Sequence, residues 1–145
     1  MKNVKRVLSI LLSLMLVLGA VAVGGMSASA DGSVYEISCY ADLKEFASRV
    51  NSGETGLNAK LMNDIVATGY NDWTPIGYYE SDIDNCPFTG TFDGDGYVVT
   101  GLSTPADYNS NYAGLFGYVG SKTEGGVTTK GTVKNVGLEG GSITG

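Results

Sequence analysis

Apolar positions fall into two different rhythms along this chain, and the change between them predicts its elements. Val34 to Ile37 alternates apolar and polar residues, the two-residue period of a half-buried strand. Ser38 follows as a candidate helix N-cap. Leu43, Phe46, Ala47 and Val50 then fall at i, i+3, i+4 and i+7, one apolar stripe on a helix of about three turns over 40–50. Asp42 sits near the positive end of that helix dipole, and Glu45 and Arg49 are spaced to pair on its wet face. Gly53 is placed to end the helix in the left-handed conformation.

Beyond the helix the rhythm returns to two. Leu57, Ala59 and Leu61 alternate with polar neighbours and predict a second strand. Trp73-Thr74-Pro75-Ile76-Gly77 reads as a compact apolar corner, where Pro75 cannot donate to a ladder. Residues 78–87 read as an acidic, polar surface loop. Phe88, Gly90 and Phe92 alternate with threonines before Asp93-Gly94-Asp95-Gly96, a pair of turn-forming Asp-Gly steps. Tyr97–Leu102 and Ala113–Val119 are further strands, with polar loops at 105–111 and 120–126. Thr132–Leu138 then repeats the strand-then-Gly-Leu pattern.

Fourteen of the 56 residues from Gly90 to Gly145 are glycine. Without a three-residue period, that density means frequent turns between short strands. Strand-and-turn units recurring every 15–25 residues or so favour a mainly β solenoid, a parallel β-helix whose first turn is capped by the amphipathic helix. The alternative is an antiparallel β-sandwich. A bare first turn would offer an open sheet edge, which the Leu43/Phe46/Ala47/Val50 stripe is suited to cover. Gly145 follows a strand without a cap of its own, so the expectation is a C-terminally truncated start of a longer protein.

Residues 1–30 change the picture of location. Lys2, Lys5 and Arg6 precede an apolar run from Val7 to about Val23, and Ala28-Ser29-Ala30 supplies the small residues of a cleavage site. A signal peptide cut after Ala30 is expected, giving a secreted or cell-surface protein of 115 residues with no membrane segment after cleavage. The rival is a retained anchor, since no charge occurs between Arg6 and Asp31. The exported part carries fifteen acids and six bases, a net charge of −9 against −6 for the whole chain. No basic patch exists, so no nucleic-acid partner is expected.

The chain has no histidine and two cysteines, which excludes a His-based triad and a Cys/His zinc site. Cys39 and Cys86 are either a disulfide, worth about 4 kcal/mol for a loop of this length, or two separate thiols. Asp93 and Asp95 are candidate calcium ligands, but they lack the further acids of a calcium loop, and a plain turn is preferred. Asp82, Asp84, Asp93 and Asp95 are the acids nearest aromatic residues, yet nothing fixes the carboxyl spacing that glycoside hydrolysis needs. Trp73, Tyr78, Tyr79 and Tyr97 could stack on sugars; Tyr78 and Tyr79, beside a polar loop, are the better candidates for ligand binding, while Trp73 suits a structural corner.

Several of these pieces, in this order, resemble the N-terminal region of secreted Gram-positive proteins that carry the GLUG repeat. They are Tyr35-Glu36-Ile37-Ser38 leading into the Leu43/Phe46 helix, the Trp73–Gly77 corner, Gly90-Thr91-Phe92-Asp93-Gly94-Asp95-Gly96, Ala113-Gly114-Leu115-Phe116-Gly117, and Thr132–Leu138. The resemblance implies a right-handed parallel β-helix in a large surface or secreted protein of adhesin-like type, or beside the catalytic part of an immunoglobulin A peptidase. It supplies no catalytic residues for the repeat. The cysteines depart from it, standing where small polar residues are expected. The resulting expectation is a non-enzymatic exported structural or display module without cofactor, whose partners are downstream domains of the same chain. Alternatives are an adhesin segment binding host or cell-wall glycans or proteins through the loops at 78–87 and 103–112, and a non-catalytic part of a secreted peptidase or polysaccharide-active enzyme.

Overall fold

The computed structural model describes residues 32–108 and 112–144. The expected signal peptide, its cleavage point and Gly145 lie outside the described residues. The described part is mainly β, with one helix.

The chain opens with β1 (Val34–Ile37) and α1 (Tyr40–Asn51). The helix buries Tyr40, Leu43, Phe46, Ala47 and Val50, the expected stripe plus one aromatic. Its N-cap is Cys39 and not Ser38. The reason is Asp42, whose carboxylate reaches back to accept the N–H groups of both Ser38 (2.9 Å) and Cys39 (3.2 Å). Those bonds hold the Asp42 carboxyl below its usual range, the Ser38 bond contributing most. Gly53, at φ 110°, ends the helix in the left-handed region as expected. Arg49 does not pair with Glu45. Its guanidinium donates to both carboxylate oxygens of Glu54, at 2.9 and 2.6 Å, a two-pronged fit that a one-turn helical pair cannot match.

Nine shorter strands follow in chain order: β2 (Asn58–Leu61), β3 (Ile65–Val66), β4 (Tyr78–Ser81), β5 (Asp84–Cys86), β6 (Thr91–Asp93), β7 (Val98–Thr100), β8 (Ser121–Glu124), β9 (Val127–Lys130) and β10 (Thr132–Lys134). The last described strand is β11 (Gly137–Glu139). Two sheets carry the architecture, β1-β2-β6-β10 and β3-β7-β11, and every pairing in them is parallel. The antiparallel sandwich is therefore not the arrangement formed. Each new strand lands beside the equivalent one of the previous pass, so that Ala59, Phe92 and Val133 share one column and Ile65, Val99 and Leu138 another. Stacked partners in the first sheet lie 24 residues apart from β1 to β2, within the expected unit, and then 33 and 41 residues apart, longer than it. Within a pass the sheet strands start only seven residues apart, as at Asn58 and Ile65 or Thr91 and Val98, and the longer passes also carry insertions.

Two insertions are antiparallel hairpins. Tyr78–Cys86, expected as a loop, is the β4–β5 hairpin, and 121–130, expected to begin as a loop, is the β8–β9 hairpin. Both faces of β8 and β9 are exposed, so no apolar alternation marks them in the sequence. Conversely Ala113–Val119 makes only single parallel bridges, Ile76 to Phe116 and Phe88 to Val119, in place of a full strand.

One buried cluster forms the core and joins the α1 stripe to inward residues of the strands, among them Ile37, Ala59, Ile65, Phe92 and Val99. Phe46 is fully buried, with its ring centroid 5.8 Å from Tyr35, 5.9 Å from Phe88 and 5.8 Å from Phe92. Trp73 is also fully buried, and its indole N–H donates to the Gly114 carbonyl at 2.9 Å. Glycines sit where one pass crosses close over another. A Cβ at Gly90 would strike the Leu57 carbonyl, and one at Gly131 the Phe88 carbonyl.

Candidate functional site

The side of the molecule carrying the β4–β5 hairpin gathers Tyr79, Tyr112 and Tyr118, of which Tyr112 is exposed and the other two half-buried. Gly77, at φ 76°, donates its N–H to the Asn51 side-chain carbonyl at 2.8 Å and starts the hairpin. One pass later Gly117 donates to the Ile76 carbonyl at 2.9 Å, and the Tyr118 carbonyl accepts from the Phe88 N–H at 2.9 Å. Ile76-Gly77-Tyr78 and Phe116-Gly117-Tyr118 are thus equivalent segments stacked on each other. The stacking delivers Tyr118 to the foot of the hairpin, where Tyr79 meets it edge-on at 5.6 Å. Tyr79 also meets Tyr112 edge-on at 5.9 Å.

Acids rim this cluster. The Tyr79 hydroxyl donates to Asp82 at 2.6 Å and the Tyr78 hydroxyl to Asp84 at 3.2 Å. Asp82 raises the Tyr79 pKa by accepting from its neutral form. Cys86, and then Asp84, push Tyr78 up to about 12. Both phenols are therefore neutral donors at physiological pH. Asn85 donates to the Ser81 and Asp82 carbonyls at 2.9 and 3.1 Å, fixing the hairpin tip, with Ile83 at 98% exposure. The sequence pointed to Tyr78 and Tyr79 and did not single out Tyr112 or Tyr118. The repeated apolar-Gly-Tyr triplet was the signal for Tyr118; Tyr112 was marked only as part of the 103–112 loop expected to share a binding surface with 78–87.

The Asp93–Gly96 corner is organised differently. Asp93 accepts from the Asp95 N–H at 3.0 Å and from Asn135 at 3.1 Å, and pairs with Lys134 at 2.9 Å. Lys134 above all, with those two donors, lowers its pKa to about 2. Asp95 adopts φ 52° and pairs with Lys60 at 3.0 Å. Each candidate calcium ligand thus faces a lysine, and among the described residues no cluster of three or more Asp, Glu, Cys or His side chains could hold a metal. The four candidate acids fall in two different elements, Asp82 and Asp84 on the hairpin and Asp93 and Asp95 at the sheet corner.

The structure does not join Cys39 and Cys86. Both are free thiols, Cys39 exposed at the start of α1 and Cys86 half-buried in β5, where it is held opposite Tyr78. An open groove of about 300 Å³ runs between α1 and the Trp73 corner, lined by Lys44, Ser48, Asn51, Asp72, Trp73 and Thr74. Three of its polar side chains, Lys44, Asp72 and Asn51, are engaged in docking the helix. Asp72 pairs with Lys44 and accepts from the Tyr40 hydroxyl at 2.9 Å, and Asn51 donates to the Pro75 carbonyl at 3.0 Å.

Fold and site together define a mainly β chain of stacked parallel strands with side hairpins. Over 115 residues, 78% of the chain, it is 31% identical to Halomucin of Haloquadratum walsbyi. The match spans about 1% of the length of that curated relative. No family model and no solved structure matches the chain. No helix among the described residues is long and apolar enough to cross a membrane.

Proposed function

We propose that residues 31–145 are the helix-capped first turns of a right-handed parallel β-solenoid of GLUG-repeat type, serving as a non-enzymatic structural and display module of an exported cell-surface protein. The observation that carries this reading is the in-register parallel stacking of β1, β2, β6 and β10, with α1 set into the core beside β1. Such a stack uses its residues to hold the next pass, and leaves its insertions, the two hairpins, as the parts free to vary on the outside. The similarity to Halomucin supports the surface-directed part, as do the charged start, apolar run and Ala28-Ser29-Ala30 of the first thirty residues. Partners are then downstream domains of the same chain.

Expression of the full chain in an exporting host, with N-terminal sequencing and fractionation, tests the placement. Asp31 as the first residue of an extracellular or wall-associated product is expected. An uncleaved cytoplasmic protein overturns it. A second reading, glycan binding, is favoured by one observation, the Tyr79–Tyr112–Tyr118 cluster rimmed by Asp82 and Asp84. Aromatic edges and faces beside carboxylates suit the apolar faces and hydroxyls of sugars. A glycan array separates the two: loss of a signal on Tyr79→Ala supports binding, and a blank array leaves the structural role.

A further inference from the structure

The Tyr79–Tyr112–Tyr118 cluster lies in a stretch of one-sided charge. Between Lys60 and Lys122 the sequence holds eight acids and no base. Three of those acids, Glu80, Asp82 and Asp84, stand within five residues on the β4–β5 hairpin, and all three are exposed. Five ion pairs form among the described residues, and they engage Glu54, Asp72, Asp93, Asp95 and Glu124. The hairpin acids enter none of them.

Asp82 and Asp84 each have a phenol for a partner instead. The Tyr79 hydroxyl donates to Asp82 at 2.6 Å and the Tyr78 hydroxyl to Asp84 at 3.2 Å. A phenol supplies one donor and no charge, whereas a carboxylate can accept about four hydrogen bonds. Each carboxylate therefore keeps its charge and most of its accepting capacity beside the rings. The rings add a second attraction for positive charge, because the face of a tyrosine is the negative part of its quadrupole and draws a cation within about 6 Å of the ring centre. Tyr79 meets Tyr118 and Tyr112 with ring planes 76° and 73° apart. An edge-on contact leaves the faces of one ring of each pair uncovered by the other.

Resting on the glycan-binding reading given second above, we infer that this cluster recognises a sugar bearing a free primary amine, its ring laid on the tyrosines and its ammonium group held by Asp82 and Asp84. The three N–H donors of a primary ammonium suit the open acceptor sites of two carboxylates, and such charge-assisted bonds are the stronger kind. A quaternary ammonium has no donor to give them, and relies on a box of aromatic faces that three edge-on rings do not make. A sugar acid meets repulsion from the hairpin. An N-acetylated sugar keeps the ring contact and loses the charge.

The test is a calorimetric titration of the protein purified after expression of the full 145-residue chain, at mildly acidic pH, where sugar amines are protonated. The probes are a β-1,4-linked glucosamine tetramer, its fully N-acetylated form and a galacturonic acid tetramer. The amine tetramer should bind about tenfold more tightly than the acetylated one, what an exposed cation–π contact and an exposed ion pair supply together, and the acid tetramer should not bind. Asp82→Asn with Asp84→Asn should bring the first two affinities within about threefold of each other, the ring contribution alone remaining. Glu36→Gln with Glu45→Gln, which removes the same charge from β1 and α1, should change neither. Tyr112→Ala, at an exposed position, should weaken binding of both tetramers. The Asn substitutions are isosteric and exposed, and Trp73 fluorescence verifies the fold of each variant. Equal affinity for the amine and acetylated tetramers refutes amine recognition and leaves glycan binding standing; no heat from either refutes both. Tetralysine bound as tightly as the amine tetramer, or amine binding untouched by Tyr112→Ala, would show a bare attraction between opposite charges and overturn the inference as well.

Discussion

Replacing Phe46 tests whether α1 is built into the core or merely lies on it. The side chain is fully buried and its ring meets Tyr35, Phe88 and Phe92, aromatic residues from three separate segments. Phe46→Ala removes the ring and leaves a cavity that those rigid neighbours cannot close. Burial loss plus cavity puts the cost at about 3–5 kcal/mol, and the aromatic contacts favour the upper half of that range. Domains of this size hold roughly 5–15 kcal/mol in all, so about a fifth or more of the stability is at stake. Trp73 is the one tryptophan and is fully buried, so its fluorescence reports unfolding from a site outside the helix. With a urea slope near ~2 kcal/mol/M, the midpoint should fall by about 1.5–2.5 M. Phe46→Leu, which keeps much of the volume, should cost about 1–2 kcal/mol. Lys44→Ala removes an exposed ion pair with Asp72 and should cost less than about 1 kcal/mol. A Phe46→Ala loss below about 1 kcal/mol, or a Trp73 transition that ignores the substitution, would refute a helix that closes the core.

Further outcomes follow from the same contacts. Gly90→Ala should destabilise by about 1–3 kcal/mol because its Cβ meets the Leu57 carbonyl, whereas Gly56→Ala, whose Cβ meets only Thr89 at 4.0 Å, should stay within about 0.5 kcal/mol; equal melting points would refute the close crossing. The Asp93 carboxyl titrates at about 2 in the folded chain against 3.8 ordinarily, so its contribution is full above the higher value and is lost as pH falls from about 4 to about 2. Asp93→Asn should therefore flatten part of the acid limb of urea midpoints across that window, leaving the shares of Asp42, Glu54 and Asp72, which are also lowered. Alkylation of the native protein without reductant should add two labels, Cys39 before Cys86 because it is the more exposed; a protein that takes no label until reduced would show the thiols bonded.

The helix was legible because one stripe of Leu43, Phe46, Ala47 and Val50 can be buried in only one local conformation, and the chain buries it that way. The strands at 34–37, 58–61, 91–93 and 98–100 were legible for the same reason, since each turns alternate residues inward. The cap falling on Cys39 in place of Ser38 was not, because any of several oxygens within one turn could reach the free N–H groups. The β8–β9 hairpin was invisible because threonines and lysines exposed on both faces carry no periodic signal. Of the candidate site, the sequence marked Tyr78 and Tyr79 by their neighbours. Tyr112 and Tyr118 join them only because two passes of chain are stacked.

By itself, then, the sequence determined the local alphabet: one amphipathic helix, short glycine-closed strands, and an acidic part without histidine after a charged and apolar start. Tertiary structure alone decided that the strands run parallel and which ones are neighbours. A period of two fixes which side chains face inward, but it is the same for parallel and antiparallel pairing. The choice is made by contacts between residues 24 or more positions apart, such as Tyr35 beside Ala59, Phe92 between Ala59 and Val133 and Asp93 between Lys60 and Lys134. Those contacts turn scattered aspartates and lysines into an alternating column, and they have no counterpart in any short stretch of the chain.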